Sequence, residues 1–272
     1  MAAKKTQIIT LVCNKGGVGR STTAINIAWS LASKNCNVLV CDLDAQANTS
    51  SSLAKNYQQD VVEDGRNVTN LLKSSGDSAT DYIVETRNPN IKLLASTLML
   101  DSTEGEIKSL LDLNVFKLFD HFFNRKLKSE FDFIIIDTPP QKSSVLTLNA
   151  LLTSNWYWYV LSAEDQWSLD ARIVSEKIMQ DVRKLNPKIK PLPALMTKFV
   201  NGSSQSIEMK KIAASEFKAG VFKTTIGYST VISKSHSNRK AIHEFSNGHR
   251  VAKHYDSVAL AINRYIAKFK KN

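Results

Sequence analysis

Apolar residues in this chain follow two alternating rhythms, short unbroken runs and longer stretches spaced by three and four. The first run, residues 8–13, is continuous and uncharged, as in a strand buried on both faces. Gly16, Gly17 and Gly19 follow it. Over residues 21–33, Ile25, Ala28, Trp29 and Ala32 then mark one face of a helix. Residues 37–43 form a second buried strand that closes with Asp42 and Asp44. Strand, glycine turn, helix and strand make a βαβ unit, which implies a right-handed crossover and parallel strands.

The alternation continues to the end of the chain. A polar region over 46–81 holds a short helix at 68–73. Strands are predicted at 91–95, 131–136, 156–161, 192–197 and 221–226, and helices at 104–123, 145–153, 168–185, 207–217 and 258–269. Residues 227–240 read as a polar, basic loop. In the run Trp156, Tyr157, Trp158, Tyr159, alternation sends the tryptophans to one sheet face and the tyrosines to the other, a core arrangement. The fold class is α/β: a doubly wound, mostly parallel sheet flanked by helices. No repeat or linker divides it, so one domain over 1–272 is expected.

Composition narrows the picture. With 272 residues and 43% hydrophobic content the chain can build a substantial core. Cys13, Cys36 and Cys41 form no CxxC pair, and no signal peptide precedes the first strand, so a reduced, cytoplasmic protein is expected. Residues 143–163 carry no charge, but Ser143, Ser144, Thr147 and Asn149 make them too polar for a good spanning helix. The formal net charge is +11, and residues 201–272 hold ten lysines and three arginines against three glutamates and one aspartate. A basic face of this kind suits nucleic acid, anionic lipid or plain solvation. His236, His243, His249 and His254 lie in the same region without metal-ligand spacing.

The glycine turn carries the chemistry. A phosphate chain needs many N–H donors and little bulk, and glycines let successive amides point inward before a helix N-terminus. Ser21 is placed to ligate Mg²⁺ and Lys15 to face the phosphates. Asp137 ends the most hydrophobic strand, where it can hold a metal-bound water. Asp42 and Asp44 end the neighbouring one, where a carboxylate can orient the attacking water.

KGGVGRSTT at 15–23, DLDAQAN at 42–48 and FDFIIIDTPP at 131–140 resemble the deviant Walker A, switch I and Walker B motifs of ParA/MinD-type P-loop ATPases. The resemblance covers nearly the whole chain and is strongest to small Soj-like ParA partition ATPases, with no additional helix-turn-helix domain ahead of the motifs. It implies an ATP and Mg²⁺ site built from Lys15, Gly16, Gly17, Val18, Gly19, Arg20, Ser21 and Thr22. Lys15 matches the signature lysine that reaches the partner's phosphates, Ser21 the metal ligand and Asp137 the Walker B aspartate. Asp44 matches the aspartate that positions water, and Asp42 the one beside it, taken here with the metal. Lys15, Asp44 and Arg20 make up the catalytic set. The resemblance further implies an ATP-sandwich homodimer, nonspecific DNA binding on the nucleoid, a ParB-like adaptor that stimulates hydrolysis, and positioning of plasmid, chromosome or other cargo.

Two departures stand out. Arg20 occupies the position of the P-loop lysine, which predicts retained nucleotide binding and slower hydrolysis. The IPRNVR pattern of Soj-like proteins is replaced by IGYSTV, so Tyr228 and Val231 stand where arginines are expected. Lys198, Lys234, Arg239 and Lys240 are the candidates for a displaced DNA face, with Arg250 and Lys253 nearby. Two alternatives remain: a MinD-like membrane-positioning ATPase using the stripe Ile262, Tyr265, Ile266 and Phe269, and a hydrolysis-impaired, ATP-gated scaffold. An iron–sulfur carrier is disfavoured because all three cysteines lie in the first βαβ unit.

Overall fold

A computed structural model describes residues 5–13, 15–74, 78–109, 118–140, 144–164 and 167–269. The strands are β1 (Gln7–Val12), β2 (Val38–Asp42), β3 (Ile83–Glu85), β4 (Ile91–Leu94), β5 (Phe133–Asp137), β6 (Trp156–Ser162), β7 (Lys190–Pro191) and β8 (Leu195–Thr197). The helices are α1 (Arg20–Ala32), α2 (Asn48–Leu53), α3 (Val68–Lys73), α4 (Leu100–Ser109), α5 (Leu118–Phe122) and α6 (Arg125–Glu130). They continue with α7 (Val145–Thr153), α8 (Trp167–Leu185), α9 (Ser204–Glu216), α10 (Thr230–Ser237), α11 (Ile242–Phe245) and α12 (Arg250–Lys268).

The strands form one sheet in the order β3-β4-β2-β5-β1-β6-β7, with β8 also on β6. All pairs are parallel except β3 with β4 at the edge. β1 and β5 are buried at every position, as their continuous apolar runs require of strands covered on both faces. On one face, Ile25, Ile27 and Leu31 of α1 and Val258 and Ile262 of α12 pack with Trp156 and Trp158. Another cluster joins Ile134, Ile136, Leu146 and Phe119, and a third joins Tyr157 and Tyr159 to Met179 and Ala213. The tryptophans and tyrosines of β6 therefore do divide between clusters. Each fully buried aliphatic side chain contributes about 1.5–3 kcal/mol through removal of apolar surface from water.

Several elements differ from the pattern reading. Of the strand expected over 192–197 only β8 forms, since Pro193 supplies no N–H to a ladder; the short β7 precedes it. The strand expected over 221–226 is an extended segment with one bridge, Val221 to Ala194. Phe222 and Ile226 tie it to the sheet by donating to Ala194 O and Met196 O at 2.9 and 2.8 Å. The basic loop over 227–240 contains α10, whose first turn is capped by Ser229. The last helix begins at Arg250 rather than 258, with His249 as its cap. Of the helix expected over 104–123, α4 and α5 are seen, and residues 110–117 lie outside the described residues.

Candidate functional site

The site lies where the carboxyl ends of three central strands meet. Asp137 of β5 is in register with Leu11 of β1 and with Asp42 of β2. Between β1 and α1 the chain turns through Gly17 at φ 72° and Gly19 at φ 90°, a left-handed region that side chains with a Cβ rarely adopt. Nothing approaches within 4 Å of where a Cβ would sit on Gly16 or Gly17, so this side of the loop is open. Its other side is braced: Val18 is buried, and the Thr197 hydroxyl donates to Val18 O at 2.7 Å. A cavity of about 740 Å³ opens over the loop, lined by Gly16, Gly19, Ser21, Asp44 and Lys198 among others.

The two buried aspartates behave differently. Asp42 accepts from Asp44 N at 3.1 Å through Oδ1, and from Ser50 N and Ser50 Oγ at 2.8 and 2.7 Å through Oδ2. Both oxygens are thus engaged in shaping the turn into α2. Neither Asp42 nor Asp137, both expected among the metal ligands, is among the residues lining the cavity; what separates them is that Asp137 Oδ1 has no hydrogen-bond partner. Burial, and then the charge of Asp137, push the Asp42 pKa up to about 8. Asp137 Oδ2 accepts from the Thr49 hydroxyl at 2.7 Å, while Oδ1 is buried without a hydrogen-bond partner. Burial raises the Asp137 pKa, opposed first by the Arg20 charge and then by the Thr49 and Ser21 hydroxyls.

Arg20 is 7% exposed. Its Nη1 donates to Cys13 O and to Lys15 O, the latter at 3.3 Å, so the guanidinium draws the first part of the loop around itself. Its Nε is buried without a partner. Lys15 is half-buried in the loop. Thr22 meets His236 Nε2 of α10 at 3.0 Å. Asp44 is half-buried on the cavity wall, and its Oδ1 accepts from Gln46 N at 3.0 Å. Lys198 sits at the cavity, ion-paired to Glu164 at 2.8 Å. Lys234, Arg239 and Lys240 are exposed on α10 and the turn after it.

The pattern reading missed Thr49, Ser50, Thr197, His236 and the cavity-lining position of Arg239. No single-sequence signal marks the first three: small hydroxyl residues become meaningful only once the fold brings them to Asp137, Asp42 and Val18. The open cradle, the cationic loop and the unpartnered Asp137 Oδ1 fit a triphosphate with a divalent metal, since a buried carboxylate oxygen without a donor is costly unless a cation meets it.

A glycine turn between a buried strand and a helix, with an aspartate ending the next strand, defines a P-loop nucleotide-binding protein. The comparisons with known proteins sharpen this. A family model described as AAA domain (AAA_31) matches residues 6–190. The chromosome partitioning protein ParA of Myxococcus xanthus is 31% identical over 237 residues, covering 87% of this chain and 80% of that protein. The sporulation initiation inhibitor protein Soj of Bacillus subtilis is 28% identical, covering 87% and 90%. Among solved structures, a putative plasmid partition protein of Borrelia burgdorferi B31 bound to AMPPNP superposes with a TM-score of 0.70 at 26% identity, covering 89% and 96%. Cobyrinic acid a,c-diamide synthase of Mycobacterium smegmatis, with a bound ATP analog and magnesium, shares the fold with a TM-score of 0.79 at 24% identity, covering 96% of both chains. The chain belongs to the ParA-type family of P-loop ATPases.

Proposed function

We propose that this protein is a partition ATPase that binds ATP with Mg²⁺, dimerises around it, binds DNA without sequence preference and positions a cargo with the help of a ParB-like adaptor. The observation that carries the reading is Asp137 Oδ1, a buried and unpartnered carboxylate oxygen, one strand from an open glycine loop. In this reading the amides of Gly16 to Thr22 hold the phosphates, Ser21 and Asp137 hold the metal, and Asp44 orients water. Asp42 supports Asp44 by accepting its amide. Lys15 completes the site of the partner subunit. Bound Mg²⁺ supplies charge neutralisation of the phosphate oxygens. Arg20 keeps a cation at the loop but presents a planar fork already hydrogen-bonded to two carbonyls, which slows the chemistry.

The DNA face is assigned to Lys234 and Lys240, exposed on the basic edge, with Lys198 beside the cavity. Phosphate contacts demand little geometry and tolerate displacement of the usual arginines. The membrane reading is weakened because most of its apolar stripe is engaged: Ile262 and Ile266 are buried and Tyr265 lies 6.1 Å from the Trp156 ring, while Phe269, 5.4 Å from that ring, remains 40% exposed. Among the described residues no helix is long and apolar enough to cross a membrane. A second reading, an ATP-gated scaffold with impaired hydrolysis, is favoured by Arg20 alone.

Equilibrium binding of ATP to the wild type and to Asp137→Ala, with and without Mg²⁺, tests the site. Mg²⁺-dependent binding that the variant loses supports the reading; binding indifferent to both overturns it. ATP turnover then separates the two readings: slow hydrolysis stimulated by DNA fits the ATPase, and none under any condition fits the scaffold.

A further inference from the structure

Besides Lys198, the cavity has a further cation that the glycine loop does not supply, Arg239. His236 and Arg239, from α10 and the turn after it, line it together with Ser51 and Ser52 of α2. Arg239 sits at φ 50°, a conformation uncommon for residues other than glycine. Its amide donates to His236 O at 2.9 Å, and its carbonyl accepts from Arg87 Nη2 at 3.0 Å. No carboxylate among the described residues pairs with its guanidinium.

Arg87 is the hub of this corner. Its Nε and Nη2 donate to the two oxygens of Glu244 at 2.7 and 3.2 Å. Its Nη1 donates to Ala54 O at 2.9 Å, and Nη2 also reaches Ser52 O. Glu244 Oε2 accepts in addition from Ala241 N at 3.0 Å. One side chain thus ties the turn holding Arg239 to the end of α2. That helix is in turn fixed to Asp137 by Thr49 and to Asp42 by Ser50. The contact of His236 with Thr22 anchors α10 to the start of α1.

From this geometry we infer that Arg239 is a further nucleotide-binding residue, contacting the phosphate chain of a nucleoside triphosphate, and that Arg87 with Glu244 is the pair that positions it. The inference rests on the reading of the glycine loop as an ATP site. An arginine on a turn would lose much side-chain and backbone freedom on meeting its ligand. Fixing the turn beforehand removes part of that cost. The guanidinium fork then offers two parallel donors to phosphate oxygens.

The test is calorimetric titration of the full chain with ATPγS and Mg²⁺, so that binding is read without turnover. Arg239→Gly, which suits the left-handed turn, is expected to weaken binding about tenfold, the size of one charge-assisted contact. Arg239→Lys restores part of it, and Lys211→Ala, exposed on α9, leaves it unchanged. Arg87→Lys weakens binding while the double variant Arg87→Lys/Arg239→Gly is no weaker than Arg239→Gly alone, as residues acting through one contact require. A double variant weaker than both would mean that Arg87 only stabilises the fold. Arg239→Gly binding like the wild type overturns the assignment, and if that variant instead loses affinity for duplex DNA, the residue is a DNA contact. A wild type that binds no ATPγS overturns the ATP-site reading itself, and this inference with it.

Discussion

A lysine at position 20 would place one compact ammonium at the loop, free to follow the phosphates. Arg20 places a buried fork there, already donating to Cys13 O and Lys15 O. Arg20→Lys is therefore expected to raise ATP turnover on the order of tenfold, about 1.4 kcal/mol of barrier. Turnover that stays the same or falls in a steady-state phosphate-release assay would refute this account of the loop. Asp42 supplies a pH signature. Its pKa is near 3.8 when unfolded and is raised to about 8 by burial and Asp137. The folded chain then binds the proton more tightly, so stability falls as pH rises through neutrality towards the folded value. For nucleotide-free protein, stability is expected to be lower at pH 8 than at pH 7, read from urea unfolding. Asp42→Asn should flatten that slope; a wild type equally stable at both pH values speaks against it.

At the scale of elements, legibility tracked how strongly a segment is buried. The helices at 68–73 and 145–153 appear where the periodicity put them, and β2 and β5 lie within a residue or two of their apolar runs. The glycine loop, Asp44 and Asp137 were readable because motif and strand end coincide. What escaped was decided by tertiary contacts. The segment 221–226 has the composition of a strand but pairs at a single bridge, Val221 to Ala194. α10 has little apolar character and is held by a cap and by His236 on Thr22, neither of which periodicity detects. The Arg87 hub joins residues 157 positions apart and leaves no local trace. If the edge formed by α10 and its following turn is the DNA face, Lys234→Glu/Lys240→Glu should weaken duplex binding and reduce its salt slope by about one unit per lost phosphate contact. Fluorescence anisotropy at several salt concentrations reads this; an unchanged slope would move the face elsewhere.

At the scale of the molecule, the sheet brings the ends of β1, β2 and β5 under one cavity, and α12 closes the opposite end of its face against β6. Because the α12 stripe is engaged with Trp156, Ile266→Ala should cost about 2–5 kcal/mol in chemical unfolding, as for other buried aliphatic truncations. Liposome co-sedimentation should be negative for the wild type; binding to vesicles with an unaffected core would revive the membrane reading. In the proposed function Lys15 completes the partner's site, which would make nucleotide binding and association one event. Light scattering of the purified chain with ATP and Mg²⁺ tests this most directly. The mass should double with ATP and Mg²⁺, stay monomeric when the metal is chelated, and stay monomeric in Lys15→Ala. A wild type that remains a monomer under all these conditions, or a dimer indifferent to nucleotide, would contradict it.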